Sequence, residues 1–145
     1  MSFLTPDDYG AQIRTEILAL ITDGNSTLQA AAEHSAQTEM ESYLRGRFDV
    51  AKVFGAVGAD RNAQIVMYLV DVALYHLHSR QNPRNVPTLR QDRYDHVIDW
   101  LKMVRKGALS CGLPLETLTL PDGTQDTGSI LPRGGSNTKL RNSAY

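Results

Sequence analysis

Two histidines, His76 and His78, stand two positions apart in the most apolar stretch of the chain. On a helix this spacing separates two side chains by about 200°, whereas zinc-binding histidines on a helix stand four positions apart. The two rings therefore point away from each other, and His34 and His96 are far from both in sequence. We expect no metal site here.

Asp71 is the only acid between Ile65 and Leu77, a segment that is apolar almost all the way round a helix. A carboxylate in such a helix needs a polar partner, because burying an unpaired charge costs free energy. We expect a structural partner, either an arginine such as Arg45 or Arg93 or a tyrosine hydroxyl. A catalytic acid is the alternative that this pattern does not favour.

Nucleophiles and phosphate-binding loops give no sign of an enzyme. Cys111 is the only cysteine, and it stands beside a glycine with no histidine close to it in sequence. The chain contains none of the patterns G-x-x-x-x-G-K-[ST], G-x-G-x-x-G and G-x-S-x-G, which mark nucleotide-binding loops and hydrolase nucleophiles. The sequence predicts a protein that is not an enzyme and binds no cofactor.

A DNA-reading helix-turn-helix protein is a second class to consider, and it would carry base-contacting side chains along one helix face. The formal net charge of the 145-residue chain is −1, which does not favour an electrostatic nucleic-acid binder. Seven arginines in the central part of the chain stand at predicted helix ends and turns, as capping and interface groups do. They are Arg45, Arg47, Arg61, Arg80, Arg84, Arg90 and Arg93.

The segment 61–80 is the element that the rest of the chain must surround. A helix with apolar residues on all sides has to be covered from several directions. A membrane span is the alternative interpretation, but the uninterrupted apolar run is shorter than the roughly 20 residues that a bilayer requires. It also contains Asp71 near its middle. We predict a buried central helix.

The first of the surrounding helices begins at Thr5, an N-cap that Pro6 and two acids follow. It ends before Gly24, and Gly10 is a candidate break within it. Apolar residues at spacings of three and four predict its inward face. That face is Tyr9, Ile13, Ile17, Leu20 and Ile21.

Two further amphipathic helices and one short helix follow from the same spacing rule. The second helix is capped by Ser26 or Thr27, the short one by Asp49, and the central one by Asp60. The last helix starts near Pro87 and ends at Gly107. Its predicted inward face is Leu89, Tyr94, Val97, Ile98, Leu101 and Val104. The prediction is an all-α bundle of four main helices plus a short one, in a domain of residues 1–114.

The composition changes after Pro114. The alternating LETLTL of residues 115–120, followed by Pro-Asp-Gly, predicts a short strand or hairpin. Residues 124–145 are rich in Gly, Ser, Thr and Asn and hold too few apolar groups to fold alone. We predict that residues 115–145 form an extended arm that partners order, with strand addition at its start. The predicted contact residues are Thr117, Leu118, Thr119, Leu120, Ile130, Leu131, Leu140 and Tyr145.

Four segments, taken together and in order, carry a family resemblance. They are FLTPDDY, EMESYLRGRFDV, DRNAQIVMYLVDVALYHLHSR and NVPTLRQDRYDHVIDWLKMVRKG. The chain resembles Mu-type phage and prophage proteins over roughly residues 3–114, and its helical layout is similar to that of the head–tail adaptors of long-tailed phages. The order and spacing of several pieces carry this resemblance, since none of them is a short catalytic motif.

The resemblance implies a structural head–tail connector, also called an adaptor or head-completion protein, in the neck of the virion. Such proteins form a ring, usually of about twelve subunits, beneath the portal protein. The implied partners are the portal, copies of the same chain and a tail-completion or tail-terminator protein. Double-stranded DNA would pass through the ring without sequence-specific binding, and no membrane is involved. A tail-completion protein of the same particle and a generic helical interaction module are the alternatives.

Overall fold

The computed structural model of the protein describes residues 2–119 and 125–126. This part of the chain is mostly helical, as the sequence predicted. The helices are α1 (Pro6–Gly10), α2 (Thr15–Thr22), α3 (Ser26–Leu44), α4 (Val50–Gly55), α5 (Ala63–Gln81) and α6 (Thr88–Arg105). A 3-10 turn covers Gly58–Asp60, and two short strands follow, β1 (Leu118–Thr119) and β2 (Gln125–Asp126).

Helix α5 lies at the centre and contacts α1, α2, α3 and α6. Its side chains are buried in every direction, including those of Leu69, Val70, Val72 and Leu74. The predicted buried central helix is therefore confirmed. Its N-cap differs from the prediction, because the Asn62 side chain, and not that of Asp60, accepts hydrogen bonds from the first free backbone amides.

Helix α3 packs against α5 through a stripe of small and large apolar residues. Ala32 and Ala36 are buried and leave space for close approach of the two helices, and Met40 and Leu44 fill the core farther along. The α3 cap is Asn25, whose Oδ1 accepts a bond from the Thr27 amide at 2.9 Å. The observed cap therefore lies one or two positions before the predicted caps, Ser26 and Thr27.

The first predicted helix is divided in two, at the break for which Gly10 was the candidate. The chain forms α1 and α2 with a break at residues 11–14, which follows Gly10. The break shifts the helical phase, so the residue spacing that begins at Tyr9 no longer describes one face beyond it. Ile17 and Leu20 are consequently exposed, and Leu20 is 67% exposed. Three long helices, α3, α5 and α6, therefore form the bundle, together with shorter ones.

Leu89 was also predicted to face inward and is 60% exposed. It stands in the first turn of α6, where the helix has not yet met the packed part of α5. Farther along the same helix, Val97, Leu101 and Val104 are fully buried, as predicted.

An ion pair fixes the N-terminal segment to the chain that leads into α5. Arg61 Nη1 donates to Asp8 Oδ2 at 2.6 Å and to the Phe3 carbonyl at 2.9 Å, while Nη2 donates to Asp8 Oδ1 at 3.2 Å. Asp8 also accepts a bond from the Thr5 amide. Burial alone would raise the pKa of Asp8, but the bonds from Arg61 and Thr5 outweigh it and lower that pKa.

We expect Leu74→Ala to lower the free energy of unfolding by about 2–5 kcal/mol, because it leaves a cavity in a close-packed core. Chemical denaturation followed by circular dichroism measures this change. The matched control is Leu20→Ala, which removes the same atoms from an exposed site and should change stability by less than about 0.5 kcal/mol. Equal effects of the two substitutions would contradict the central position of α5.

We expect Asp8→Asn to lower the free energy of unfolding at pH 7 by roughly 1.5–3 kcal/mol, the range for hydrogen bonds to charged groups. The folded-state pKa of Asp8 is depressed, so its contribution is present above the unfolded value of 3.8 and is lost as the pH falls through the folded pKa. The difference from the unsubstituted chain should therefore shrink below pH 3.8. Asp7→Asn, an exposed substitution in the same turn, is the control; a pH-independent difference for Asp8→Asn would refute the ion-pair explanation.

Candidate partner-binding site

The start of the predicted arm is attached to the connection between α3 and α4. Phe48 and Leu115 form an antiparallel bridge. The Asp49 amide donates to the Pro114 carbonyl at 2.9 Å, and the Glu116 amide donates to the Arg47 carbonyl at 3.0 Å. The sequence assigned Leu115 and Glu116 to an arm held by other chains. In the structure Leu115 is bridged to Phe48 and Glu116 is hydrogen-bonded to Arg47, so both are attached to their own domain.

Arg47 links this attachment point to the end of α6. Its Nη1 donates to the Val104 carbonyl, and its guanidinium lies over the Phe48 ring at 5.0 Å from the centroid. Gly107 ends α6 with φ +80°, and a Cβ there would approach Arg47 Nη1 to 3.3 Å. The Arg47 side chain therefore contacts both the end of α6 and the place where the C-terminal segment leaves the bundle.

Beyond this point the chain forms a short antiparallel hairpin. Leu118 pairs with Asp126 and Thr119 with Gln125, so β1 and β2 lie side by side. A two-stranded ladder leaves backbone amides and carbonyls unpaired along its outer edges, where another strand can be added. Strand addition was the binding mode expected for this segment.

The predicted contact residues thus divide into two groups. Thr117 is half-buried at the root of the hairpin, and Leu118 and Thr119 form β1. The other five lie outside the residues that the structure describes: Leu120, Ile130, Leu131, Leu140 and Tyr145.

Asp71 is 4% exposed, and its partner is Arg93, whose Nη1 lies 3.2 Å from Asp71 Oδ1. The same nitrogen donates to Gln12 Oε1 at 2.5 Å, and Arg90 Nη2 donates to the Gln12 carbonyl at 3.0 Å. Burial raises the pKa of Asp71, and the charges of Arg93 and Arg90 offset part of that rise. This network joins the α1–α2 connection to α5 and α6. The role of Asp71 within it is structural. Arg45, the other arginine considered, pairs with Glu41 on its own helix.

A second polar network connects α3, α5 and α6. Tyr94 Oη donates to Glu39 Oε1 at 2.5 Å, and His76 Nε2 lies 3.0 Å from Glu39 Oε2. The Tyr94 ring stacks on Tyr75 with 4.0 Å between centroids. Burial raises the pKa of Tyr94, and the bond to Glu39 adds to the rise. The group is therefore a neutral donor that holds the helices together.

His78, on the other side of α5, has its pKa lowered by burial and by the charge of Arg90. Within residues 2–119, no three side chains of His, Cys, Asp or Glu gather in a way that could hold a metal ion. None of the helices in the described part of the chain combines the length and apolar character that a membrane crossing requires.

Sequence reasoning missed a groove between α2 and the start of α6. Its apolar walls are Ile13, Ile17, Pro87 and Leu89, and its basic residues are Arg14, His78 and Arg90. The signal was present in the eight residues TEILALIT of α2. Five consecutive residues of this helix, ILALI, are apolar, and five consecutive positions on a helix cannot all face one neighbouring helix.

Comparison with known proteins gives the family. The family model described as "Bacteriophage Mu, Gp36" matches residues 3–128, which include all six helices and both strands. The chain belongs to the bacteriophage Mu Gp36 family. The match extends past residue 114, where the resemblance seen in the sequence ended, and includes the hairpin. No curated protein and no solved structure matches the chain. Membership of this family indicates a structural or morphogenesis protein of a phage.

We expect Arg93→Met to destabilise the protein more than Asp71→Asn at neutral pH. Arg93→Met leaves a buried carboxylate without its partner, at a cost of up to about 3–5 kcal/mol. Asp71→Asn removes the buried charge, and the Arg93 side chain, 40% exposed, remains partly hydrated; a cost of about 1 kcal/mol is expected.

The pH dependence of the same pair of variants is the control. The folded-state pKa of Asp71 is raised, so its contribution is fully present below the unfolded value of 3.8 and is lost as the pH rises through the folded pKa. Losing Arg93 raises that pKa further. Denaturation curves should therefore show the two variants converging near pH 3.8. A larger cost for Asp71→Asn at pH 7 would contradict this account of the network.

Proposed function

We propose that the chain is a head–tail adaptor in the neck of a phage particle, where copies form a ring beneath the portal. The main support for the proposal is the family match, which extends over both the bundle and the hairpin. The ring would continue the DNA channel of the portal and connect the capsid to the tail-completion or tail-terminator protein. In this role the protein performs no catalysis and binds no cofactor.

The geometry supports an adaptor because it combines a rigid body with a binding element at a fixed position. The bundle is held by the α5 core and two inter-helix polar networks. The C-terminal segment leaves it beside Phe48, where Asp49 and Arg47 hold Pro114 and Glu116 by backbone hydrogen bonds. A segment anchored at its root loses less conformational freedom when its far part binds a partner, which favours affinity.

The hairpin and the residues after it are the proposed contact with the portal and with neighbouring subunits. Backbone groups on the outer edges of β1 and β2 suit strand addition, which demands little of the partner's side chains. The large apolar residues of the sequence beyond it, Leu120, Ile130, Leu131, Leu140 and Tyr145, are the proposed anchors. DNA would pass the ring without being read, which suits a chain with a formal net charge of −1.

The test is co-sedimentation with purified portal rings. We expect the full chain to sediment with the portal, and a chain that ends at Thr117 to remain free in solution. Ending at Thr117 keeps the backbone bonds of Pro114 and Glu116 to the bundle, so helicity measured by circular dichroism should be nearly unchanged.

Two outcomes would contradict the proposal. If the shortened chain joins portal rings as well as the full chain does, the arm is not the attachment. If the full chain does not sediment with portal rings but does sediment with isolated tails, the chain is a tail-completion protein of the same particle.

A further inference from the structure

The groove between α2 and α6 exposes apolar surface that the bundle leaves uncovered. Ile17 and Leu89 line it from opposite sides, and both are exposed. Leu20 extends the same face along α2. Large apolar residues that gather on one surface, and are not scattered singly, are typical of an interaction site.

The groove also carries positive charge. That charge comes from Arg14 and Arg90, because the lowered pKa of His78 leaves its ring neutral at pH 7. No carboxylate is among the described lining residues of the groove. Arg90 is buried, and its Nη1 has no hydrogen-bond partner among the residues that the structure describes. The nearby Asp71 is already paired with Arg93. An occupant that brings an apolar group together with a carboxylate would satisfy both features of the groove.

The 3-10 turn before α5 presents that combination. Val57 is 61% exposed, and the carboxylate of Asp60 is exposed and forms no ion pair within residues 2–119. The turn is held in shape, because the Asp60 amide donates to the Val57 carbonyl at 3.2 Å and Arg61 Nε donates to the Gly58 carbonyl at 3.1 Å. It is a preformed apolar and acidic projection.

The turn and the groove lie toward opposite ends of the central helix. The turn ends just before Ala63, the first residue of α5, and the groove includes His78 near its last turn. At a rise of 1.5 Å per residue these two points are about 22 Å apart. The turn therefore cannot fill the groove of its own chain. A contact between two copies would be head-to-tail, and such contacts generate rings or filaments.

We propose that the groove binds the Val57–Asp60 turn of a second copy of this chain. Val57 lies against Ile17 and Leu89, and the Asp60 carboxylate faces the exposed Arg14, with the buried charge of Arg90 behind it. The assignment rests on the proposed ring and deepens it, since it names the surfaces through which neighbouring subunits meet.

Disulfide formation between full-length chains tests this contact, in a Cys111→Ser background that leaves no other thiol. One chain carries Val57→Cys and the other Leu89→Cys. A disulfide requires Cα atoms within about 7 Å, so mild oxidation should give the mixed dimer. The control pairs Leu89→Cys with Met103→Cys, a similarly exposed apolar position on α6, and should give none. A chain carrying both Val57→Cys and Leu89→Cys should give a ladder of covalent oligomers.

Charge reversal provides an independent measurement on folded protein, because both residues are exposed. Asp60→Lys and Arg14→Asp should each lower the yield of the mixed dimer by about tenfold, the factor that 1.4 kcal/mol represents. Combining Asp60→Lys on one chain with Arg14→Asp on the other should restore most of the yield. Asp99→Lys, which makes the same charge change at an exposed site on α6, should have no effect.

The outcomes separate this contact from the proposed function. Absence of the mixed dimer, or a yield insensitive to Asp60→Lys, overturns the contact even if the chain still joins portal rings. A disulfide of Leu89→Cys with a cysteine at Ile130 or Leu131, in place of the one at Val57, also overturns it, because the C-terminal segment then fills the groove. The mixed dimer without portal attachment supports the contact and overturns the adaptor.

Discussion

The burial of α5 is the constraint on which the rest of the structure depends. A helix that is apolar on all sides is stable in water only when other helices cover it, and α1, α2, α3 and α6 contact it. Its one acid needs a counter-charge. Arg93 supplies it and, through Gln12, brings the α1–α2 connection into the same network. The position of α2, and so of the exposed apolar residues that it carries, follows from this arrangement.

The same constraint explains why the proposed binding surfaces lie at the edges of the bundle. The core uses the apolar residues of α3, α5 and the second half of α6. Several exposed apolar residues lie on the short helix α2, at the first turn of α6 and on the turn before α5, and Met67, Met103 and Leu109 are exposed elsewhere. The C-terminal segment leaves from a different place, beside Phe48. A rigid centre with several separate contact surfaces is the organisation that an adaptor between larger assemblies requires.

Much of the fold could be predicted from sequence, because helical periodicity and caps are local signals. Tyr9, Val97 and Leu101 are buried where the spacing placed them, and Asp49 caps α4 as predicted. Gly10 was a candidate for the break at residues 11–14, but the change of helical phase that exposes Ile17 and Leu20 could not be predicted, because Gly10 is compatible with either a bend or a continuous helix. The roles of Arg47 and of the Val57–Asp60 turn depend on residues far apart in sequence. No local pattern brings Arg47 to the end of α6 or sets the turn opposite the groove.

The central claim is that this bundle lies beneath the portal. A cryo-electron microscopy reconstruction of the neck of the phage whose genome encodes this chain tests it most directly. The account predicts a ring of these helical bundles directly beneath the portal, with the chain after Thr117 extending from each bundle onto the portal or a neighbouring subunit. A neck whose density beneath the portal does not fit this bundle, or a bundle found only at the tail side of the tail-completion protein, would contradict it.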